Sequence, residues 1–363
     1  MAISNNLIWS SSREATFNQC KRKYYYNYYA KWGGWSYKAD PQTKKIYFLS
    51  KLSNLPIFVG SAVHDIIREQ IQTISYGMES AATNKVEMDK AIETISTRIK
   101  TAEFCSKNRE WEDNTKITAF ADDYYNDGSS VKSGSVKTVN SWVKKATKCF
   151  VNFCESEICK GLVEKRYKML VCDSNDYVAV DISGVPVYAI PDLVYLDDAG
   201  VTHIVDWKTG KQKYQDLVQT RFYSLYARNR WNPEELQIDL VYLDTPNIVS
   251  SKPTKEELDE AALLLKESFK QMEQLTKENN VALAEENFLF TADTSSCRDC
   301  NFREICPSIA ITKTGAKNEV CISAEDALQS VVDATSKDTQ PEKVLPVEDD
   351  TSNKPWRSLF ESK

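Results

Sequence analysis

Apolar residues follow two different spacings along this chain, a helical one in the first half and an alternating one further on. Up to residue 160 they recur mostly every three or four positions, which is typical of helices with one buried face. From residue 162 onward Val, Ile and Tyr alternate with polar residues, which predicts strands. The predicted helices cover 10–31, 56–77 (introduced by Gly60-Ser61-Ala62), 84–160 with an interruption at 127–135, 214–231 and 254–279; the predicted strands cover 162–172, 177–207 and 237–243.

This order of elements predicts an α/β fold with a mixed sheet flanked by helices. We expect one domain over residues 1–321, with a helical insert at about 78–160. Residues 322–363 contain nine acidic and five basic residues and few large apolar ones, so we expect this tail to be disordered. Its last ten residues, KPWRSLFESK, carry apolar side chains and are a candidate docking peptide for a partner protein.

The segment AIPDLVYLDDAGVTHIVDWKTGK, residues 189–211, has the pattern of a hairpin that turns at Asp198-Ala199-Gly200. A three-residue loop ending in a left-handed Gly is a common hairpin connection. With that loop, Asp192 lies directly opposite Asp206. Lys208 shares their face, because side chains two apart on a strand point the same way. The sequence therefore predicts that two carboxylates and an ammonium group converge.

Adjacent carboxylates repel each other, and a hard divalent cation such as Mg²⁺ or Mn²⁺ relieves that repulsion. Such a cation can polarise a phosphoryl oxygen and acidify a bound water, which a lysine then orients or deprotonates. The alternative is a surface Asp–Lys pair without chemical function, which is the common explanation of an isolated D-x-K.

The order Pro191-Asp192, thirteen intervening residues and then Asp206-Trp207-Lys208 resembles the PD-(D/E)xK nuclease superfamily. Two further patterns resemble its RecB-like branch: His64 in GSAVH, and Gln219 with Tyr223 in QTRFY. The resemblance implies a restriction-endonuclease-like core and metal binding by His64, Asp192 and Asp206, with the Trp207 carbonyl as a further candidate ligand. It also implies that Lys208 is catalytic and that Gln219 and Tyr223 support the active site. Glu164 is a further, weaker acidic candidate on the first strand.

Ten cysteines are unusual in a chain that we expect in the cytoplasm, where disulfides are rare. Cys297, Cys300 and Cys306 have the spacing C-x2-C-x5-C, and a Cys₄ site needs a fourth thiolate. Cys20 is the candidate, since one N-terminal cysteine with three near the C-terminus resembles the iron–sulfur nucleases, which include AddB-type domains and CRISPR spacer-acquisition nucleases. The resemblance implies a 4Fe–4S cluster that staples the two ends. Zinc in the same thiolates and ligation by Cys321 stay open.

The stretch KRKYYYNYYAKW, residues 21–32, places basic residues beside tyrosines. Such a surface can stack single-stranded bases and bind phosphates; alternatively, it is a core helix packed around the cysteines. The net charge of −6 provides no general basic field for nucleic acid, although a local groove is compatible with it. The chain has no long apolar run and no signal-peptide pattern, so we expect a cytoplasmic protein without a membrane partner.

Taken together, these features predict an Mg²⁺- or Mn²⁺-dependent deoxyribonuclease. By resemblance, we expect an exonuclease on single-stranded DNA or DNA ends in recombination or repair. No GxxxxGK[ST] motif is present, so a helicase would be a separate partner, reached through the C-terminal tail. The alternative is a catalytically silent subunit that binds DNA or a partner in a recombination complex.

Overall fold

The structure is a computed structural model that describes residues 6–112, 114, 116–125, 138–172, 178–293 and 295–307, with only the backbone of Tyr214, Gln215 and Asn279. The predictions for the tail at 322–363, for Cys321 and for the interruption at 127–135 lie outside the described residues. Among the described helices, none is both long and apolar enough to cross a membrane.

A five-stranded mixed sheet lies at the centre of the fold. Its strands are β1 (Lys168–Cys172), β4 (Leu193–Leu196), β5 (Thr202–Lys208), β6 (Leu236–Tyr242) and β7 (Asn247–Ser251), in the order β1-β4-β5-β6-β7. Neighbouring strands are antiparallel except β5 and β6, which are parallel. β2 (Val180–Ile182) and β3 (Val185–Val187) form a separate hairpin.

Helices cover both faces of this sheet. Odd-numbered side chains of β5, such as Val205 and Trp207, pack into one hydrophobic cluster, and Ile204 packs into another on the opposite face. β5 is therefore buried from Thr202 to Trp207, with Asp206 and Lys208 near its end. The described helices are α1 (Ser11–Gln19), α2 (Lys21–Tyr25), α3 (Pro41–Lys51), α4 (Leu55–Ser75), α5 (Lys85–Lys107), α6 (Ala121–Tyr125), α7 (Val139–Cys154), α8 (Glu157–Val163), α9 (Tyr214–Trp231), α10 (Lys255–Glu273) and α11 (Ser295–Arg298).

The first cluster joins α4, α5, α7 and α8 to the sheet. Phe150 and Phe153 of α7 are fully buried there, and the ring of Phe153 meets that of Trp207 edge-on, with centroids 5.4 Å apart. The region that we predicted as a helical insert thus shares a hydrophobic core with the strand that carries Asp206. The second cluster joins α9, α10 and the N-terminal segment to the opposite face.

The predicted helix over 10–31 is wrong as a single helix, because the backbone is extended at Cys20 (φ −168°, ψ 118°). α1 ends there, α2 begins with the Cys20 sulfur accepting the Lys23 N–H, and a π-helical turn, Tyr26–Ala30, follows. The break places Cys20 at a helix N-terminus. Its physical cause is local capping, which helical periodicity does not report.

Three other boundaries also differ from prediction. α4 begins at Leu55, capped by Asn54, so Gly60 lies inside the helix and does not introduce it. The first strand begins at Lys168, not at 162, because α8 continues to Val163; Glu164 is the residue after that helix and pairs with Arg166. The capping box of Thr254 and Glu257 is confirmed, although α10 ends at Glu273.

Candidate functional site

The hairpin β4–β5 has the register that the sequence predicts. Leu193 pairs with Val205 and Leu196 with Thr202. The Asp197 N–H donates to the Val201 carbonyl at 3.0 Å, which leaves a three-residue loop whose Gly200 has φ +86°. Asp192 directly precedes Leu193, and the same register therefore sets it opposite Asp206.

Asp192 is held from two sides. Its Oδ2 accepts the backbone N–H of Trp207 at 2.8 Å, and its Oδ1 lies 3.3 Å from Nδ1 of His64. His64 projects from α4, on a different element from the hairpin. Burial lowers the pKa of His64, but the hydrogen bond and charge of Asp192 raise this pKa by more, so the net direction is upward.

A closed ring of polar contacts links Asp206 and Lys208 to α9. Lys208 Nζ lies 2.6 Å from Asp206 Oδ2 and donates to Gln219 Oε1 at 3.1 Å. The Gln219 amide donates to the hydroxyl of Tyr223 at 3.1 Å, and that hydroxyl donates to Asp206 Oδ1 at 3.0 Å. Gln219 and Tyr223 share a helical face, as predicted, and that face meets the carboxylate–lysine pair.

Burial sets the electrostatics of this ring. Burial and then the charge of Asp192 raise the pKa of Asp206, and the opposing effects of Lys208 and Tyr223 do not cancel them. Burial, followed by the charge of Asp206, also raises the pKa of Tyr223 well above its ordinary value. Tyr223 therefore stays protonated and acts as a donor to the carboxylate.

Sequence reasoning missed Asp216, which adds a third carboxylate near Lys208. Its Oδ1 lies 3.8 Å from Lys208 Nζ, while its Oδ2 accepts hydrogen bonds from the Tyr242 hydroxyl at 2.9 Å and the Lys213 N–H at 3.0 Å. Parallel pairing of β5 with β6 sets Tyr242 beside Lys208. The only signal in the sequence is an acidic residue in the first turn of α9, which is ordinary at a helix start.

These side chains open onto a cleft of about 510 Å³. Gly60, Ser61, His64 and Asp65 of α4 form one wall. The other wall holds Asp192, the residues Trp207, Lys208, Thr209, Gly210 and Lys211, and then Lys213 and Asp216. A Cβ on Gly60 would lie 3.2 Å from Thr209 Oγ1, so a glycine here keeps the walls close. The lysines supply positive charge where an anionic substrate would enter.

The donors in this cleft suit a hard divalent cation. Two carboxylates and an imidazole face each other, and the buried Oδ2 of Asp206 accepts no hydrogen bond within the described residues, its one close contact being Lys208. As they are placed, however, no group of three or more His, Cys, Asp or Glu side chains in the described residues is gathered closely enough to hold a metal ion.

The four predicted cysteines are brought to one pocket. Cys20, Cys297, Cys300 and Cys306 all line it, together with Tyr26 and Phe302 among others. The Phe302 N–H lies 3.5 Å from the Cys300 sulfur, and burial raises the pKa of the Cys300 thiol. Like the donors of the cleft, these thiols are not gathered closely enough, within the described residues, to form a group that could hold a metal ion.

Contacts other than the cysteines also join the two ends of the chain. Arg22 Nε donates to the carbonyl of Phe288 at 2.9 Å, and Arg22 Nη1 forms an ion pair with Glu285 at 2.6 Å. Glu285 also accepts the hydroxyl of Tyr26 at 2.7 Å. The N-terminal helices are therefore fixed against residues 285–290 beside the cysteine pocket.

The tyrosines of residues 21–32 favour the core alternative. Tyr24 and Tyr26 are buried, and Tyr25, Tyr28 and Tyr29 are half-buried. Tyr24 packs edge-on against Phe17 and lies beside the guanidinium of Arg13. The tyrosines of this stretch consequently form a wall of the core, whereas Trp32 at its end is 40% exposed.

The sequence motif and this geometry agree with a comparison against protein families. No curated protein matches the chain. A family model, that of the PD-(D/E)XK nuclease superfamily, matches residues 8–307, which include the cleft and the cysteine pocket. The chain belongs to the PD-(D/E)XK nuclease superfamily.

Proposed function

We propose that this protein is a metal-dependent deoxyribonuclease that hydrolyses phosphodiesters in the cleft between α4 and the β4–β5 hairpin. The observation that carries the proposal is that Asp192 and Lys208 line an open cleft together with His64, while the buried Asp206, opposite Asp192 in the hairpin register, contacts Lys208 at 2.6 Å. A surface Asp–Lys pair without function gives no reason to bury one carboxylate beside a second one. Burying two like charges side by side is costly, and a bound cation would offset that cost.

His64, Asp192 and Asp206 are the proposed ligands of Mg²⁺ or Mn²⁺, with the Trp207 carbonyl as a further candidate. When bound, the cation polarises the phosphoryl group and acidifies an attacking water. Lys208 orients or deprotonates that water, or offsets charge on the phosphate. Gln219 and Tyr223 position Lys208 and Asp206 through the ring that they complete.

The test is degradation of end-labelled single-stranded and duplex DNA by anaerobically purified protein in Mg²⁺ and in Mn²⁺. We expect cleavage by the wild type and loss of cleavage in Lys208→Ala. The control is Lys252→Ala, since Lys252 is an exposed lysine that pairs with Glu235 outside the cleft. Product sizes decide between exonuclease and endonuclease action and give its polarity; we propose an exonuclease on single strands or DNA ends.

Absence of cleavage by well-folded wild-type protein on every substrate would contradict this proposal. It would favour the alternative, a silent DNA-binding or partner-binding subunit of a recombination complex. A role in recombination or repair, in the cytoplasm and beside a helicase, is proposed from the resemblance. The proposed docking peptide, residues 354–363, can be tested by deletion and partner capture.

We further propose that Cys20, Cys297, Cys300 and Cys306 hold a structural 4Fe–4S cluster. This proposal is supported by the pocket that the four cysteines share, although Cys20 lies far from the other three in the chain. Backbone N–H groups also point at the sulfurs of Cys20 and Cys300. Iron, sulfide and zinc analysis of anaerobic protein separates the cluster from a zinc site. Cys20→Ala should lose iron and stability, whereas Cys105→Ala, outside the pocket, should not. A stable, active Cys20→Ala protein would contradict the staple.

A further inference from the structure

Four aromatic side chains that do not line the cysteine pocket form a largely exposed surface. Trp32, Trp35 and Tyr37 are 40%, 49% and 81% exposed, and Tyr47 of α3 is half-buried beneath them. The ring centroids of Trp32 and Trp35 lie 5.1 Å apart, and those of Trp35 and Tyr47 lie 6.0 Å apart. We call these four residues the aromatic face. Clustered exposed aromatic rings of this kind mark interaction sites more often than single exposed apolar residues do.

The aromatic face is fixed by its backbone. Consecutive turns, closed by the Gly34 N–H to the Lys31 carbonyl and the Ser36 N–H to the Gly33 carbonyl, hold both tryptophans. Gly33 has φ +82°, and a Cβ on Gly34 would lie 2.4 Å from Cβ of Tyr47. The turn thus rests directly on α3. Rings held in place before binding lose little conformational entropy when a ligand stacks on them.

Lysines surround the aromatic face. Residues 31–51 contain five lysines and one aspartate, in a chain of net charge −6. Lys38 lies over the ring of Tyr37 at 5.5 Å, Lys51 lies over Tyr47 at 5.3 Å, and Lys44 donates to the Tyr37 carbonyl at 2.6 Å. None of these three ammonium groups forms an ion pair with a described acidic side chain. Burial and then the charge of Lys51 lower the pKa of Lys31.

The chain connects the aromatic face to the cleft over a short distance. Lys51 ends α3 and Leu55 begins α4, so these Cα atoms lie at most about 14 Å apart. Six further residues of α4 lead to Ser61 in the cleft wall, a rise of about 9 Å. Lys51 and the cleft therefore lie within roughly 23 Å of each other, which seven nucleotides span at about 3.4 Å each.

We propose that the aromatic face binds single-stranded DNA by stacking its bases on Trp32, Trp35 and Tyr37 while the neighbouring lysines contact phosphates. The inference rests on the proposed function for its substrate class, and it assigns the binding to residues outside the catalytic cleft. Single strands are favoured over duplex because paired bases do not present their faces for stacking. A strand held there extends toward the cleft.

The test is binding of a labelled oligo-dT of about 20 nucleotides in EDTA, where no cleavage occurs, measured by fluorescence anisotropy. Each stacked ring contributes roughly 5- to 160-fold in affinity. We expect the double variant Trp32→Ala/Trp35→Ala to bind at least tenfold more weakly and Trp35→Phe to retain most affinity. Tyr76→Ala is the matched control, because Tyr76 is 79% exposed at the far end of α4. Should the double variant lose thermal stability, Tyr37→Ala replaces it.

The inference would be overturned if the double variant bound the oligonucleotide within twofold of the wild-type affinity, or if Tyr76→Ala lost as much affinity as the double variant. It would also be overturned if the double variant differed from wild type only in self-association or in binding to lipid vesicles. Cleavage separates this inference from the proposed function. Trp-dependent binding by a wild-type protein that cleaves nothing supports the aromatic face and contradicts the nuclease proposal. In an active enzyme, the double variant should lose more cleavage of the long oligonucleotide than of a trinucleotide, which offers fewer bases to stack.

Discussion

Removing the hydroxyl of Tyr223 tests whether α9 positions the reacting groups. In Tyr223→Phe the buried Asp206 loses a hydrogen bond of 3.0 Å, and the Gln219 amide loses its acceptor at 3.1 Å. A hydrogen bond to a charged group contributes about 1.5–3 kcal/mol. If this contribution is lost in the transition state, the rate falls roughly 10- to 150-fold, at 1.36 kcal/mol per factor of ten.

The assay is steady-state cleavage of end-labelled DNA at saturating Mn²⁺, with kcat and KM measured separately. Tyr223 is a positioning residue that acts through Asp206 and Gln219, so we expect kcat to fall and KM for DNA to change little. Tyr226→Phe is the control, since Tyr226 lies on the same helix and its hydroxyl donates to the Val178 carbonyl away from the cleft. A wild-type kcat in Tyr223→Phe, or an equal fall in Tyr226→Phe, would refute the positioning role.

Further predictions concern stability. Burial lowers the pKa of His203, but its hydrogen bond of 2.6 Å to Asp239 and the charge of Asp239 raise this pKa overall. The pair therefore stabilises the fold below about pH 6.5, and this contribution is lost as the pH rises through the raised pKa. Urea unfolding of wild type and Asp239→Asn at pH 6 and pH 9 checks this, and the same pH dependence in both proteins would refute it. Phe153→Ala should cost about 3–5 kcal/mol if α7 belongs to the nuclease core, whereas a near-zero cost would indicate a separable insert. Thr254→Ala should cost about 0.5–2 kcal/mol by removing the cap of α10, measured as a lower midpoint of unfolding. Gly34→Ala should lower the midpoint because its Cβ has no room against α3, and an unchanged midpoint would show that the turn adjusts.

The hairpin illustrates what local sequence can establish. A three-residue loop ending in Gly200 fixes the register, and the period of two along a strand then fixes which side chains share a face. The pairing of Asp192 with Asp206, and the placement of Lys208 beside them, follow from residues within one segment. The same holds for Gln219 and Tyr223, whose helical spacing sets them on one face.

The break at Cys20 and the end of α8 were not predictable in the same way. Both depend on local hydrogen bonds at a helix terminus, which at Cys20 include the cap that its sulfur forms on α2. Tertiary contacts add to that cap, since the N–H groups of Arg22 meet the carbonyls of Phe288 and Leu289 more than 260 residues later. Helical periodicity contains no information about such a partner.

The tyrosines and tryptophans of the N-terminal region show the same limit. Two roles for residues 21–32, core or stacking surface, were both compatible with composition. The structure buries Tyr24 and Tyr26 and leaves Trp32, Trp35 and Tyr37 at the surface, because the turns after residue 30 lead the chain away from the core.

The α/β class, the hairpin register, the carboxylate–lysine set and the spacing of three cysteines could be predicted from the chain alone, since each depends on neighbours within one or two elements. Other placements result from tertiary packing: His64 faces Asp192 across the cleft, Asp216 and Tyr242 adjoin Lys208, and Cys20 shares a pocket with Cys306. These contacts cross between elements distant in the chain. They are fixed by how helices pack on the two faces of the sheet, and that packing is a property of the whole core.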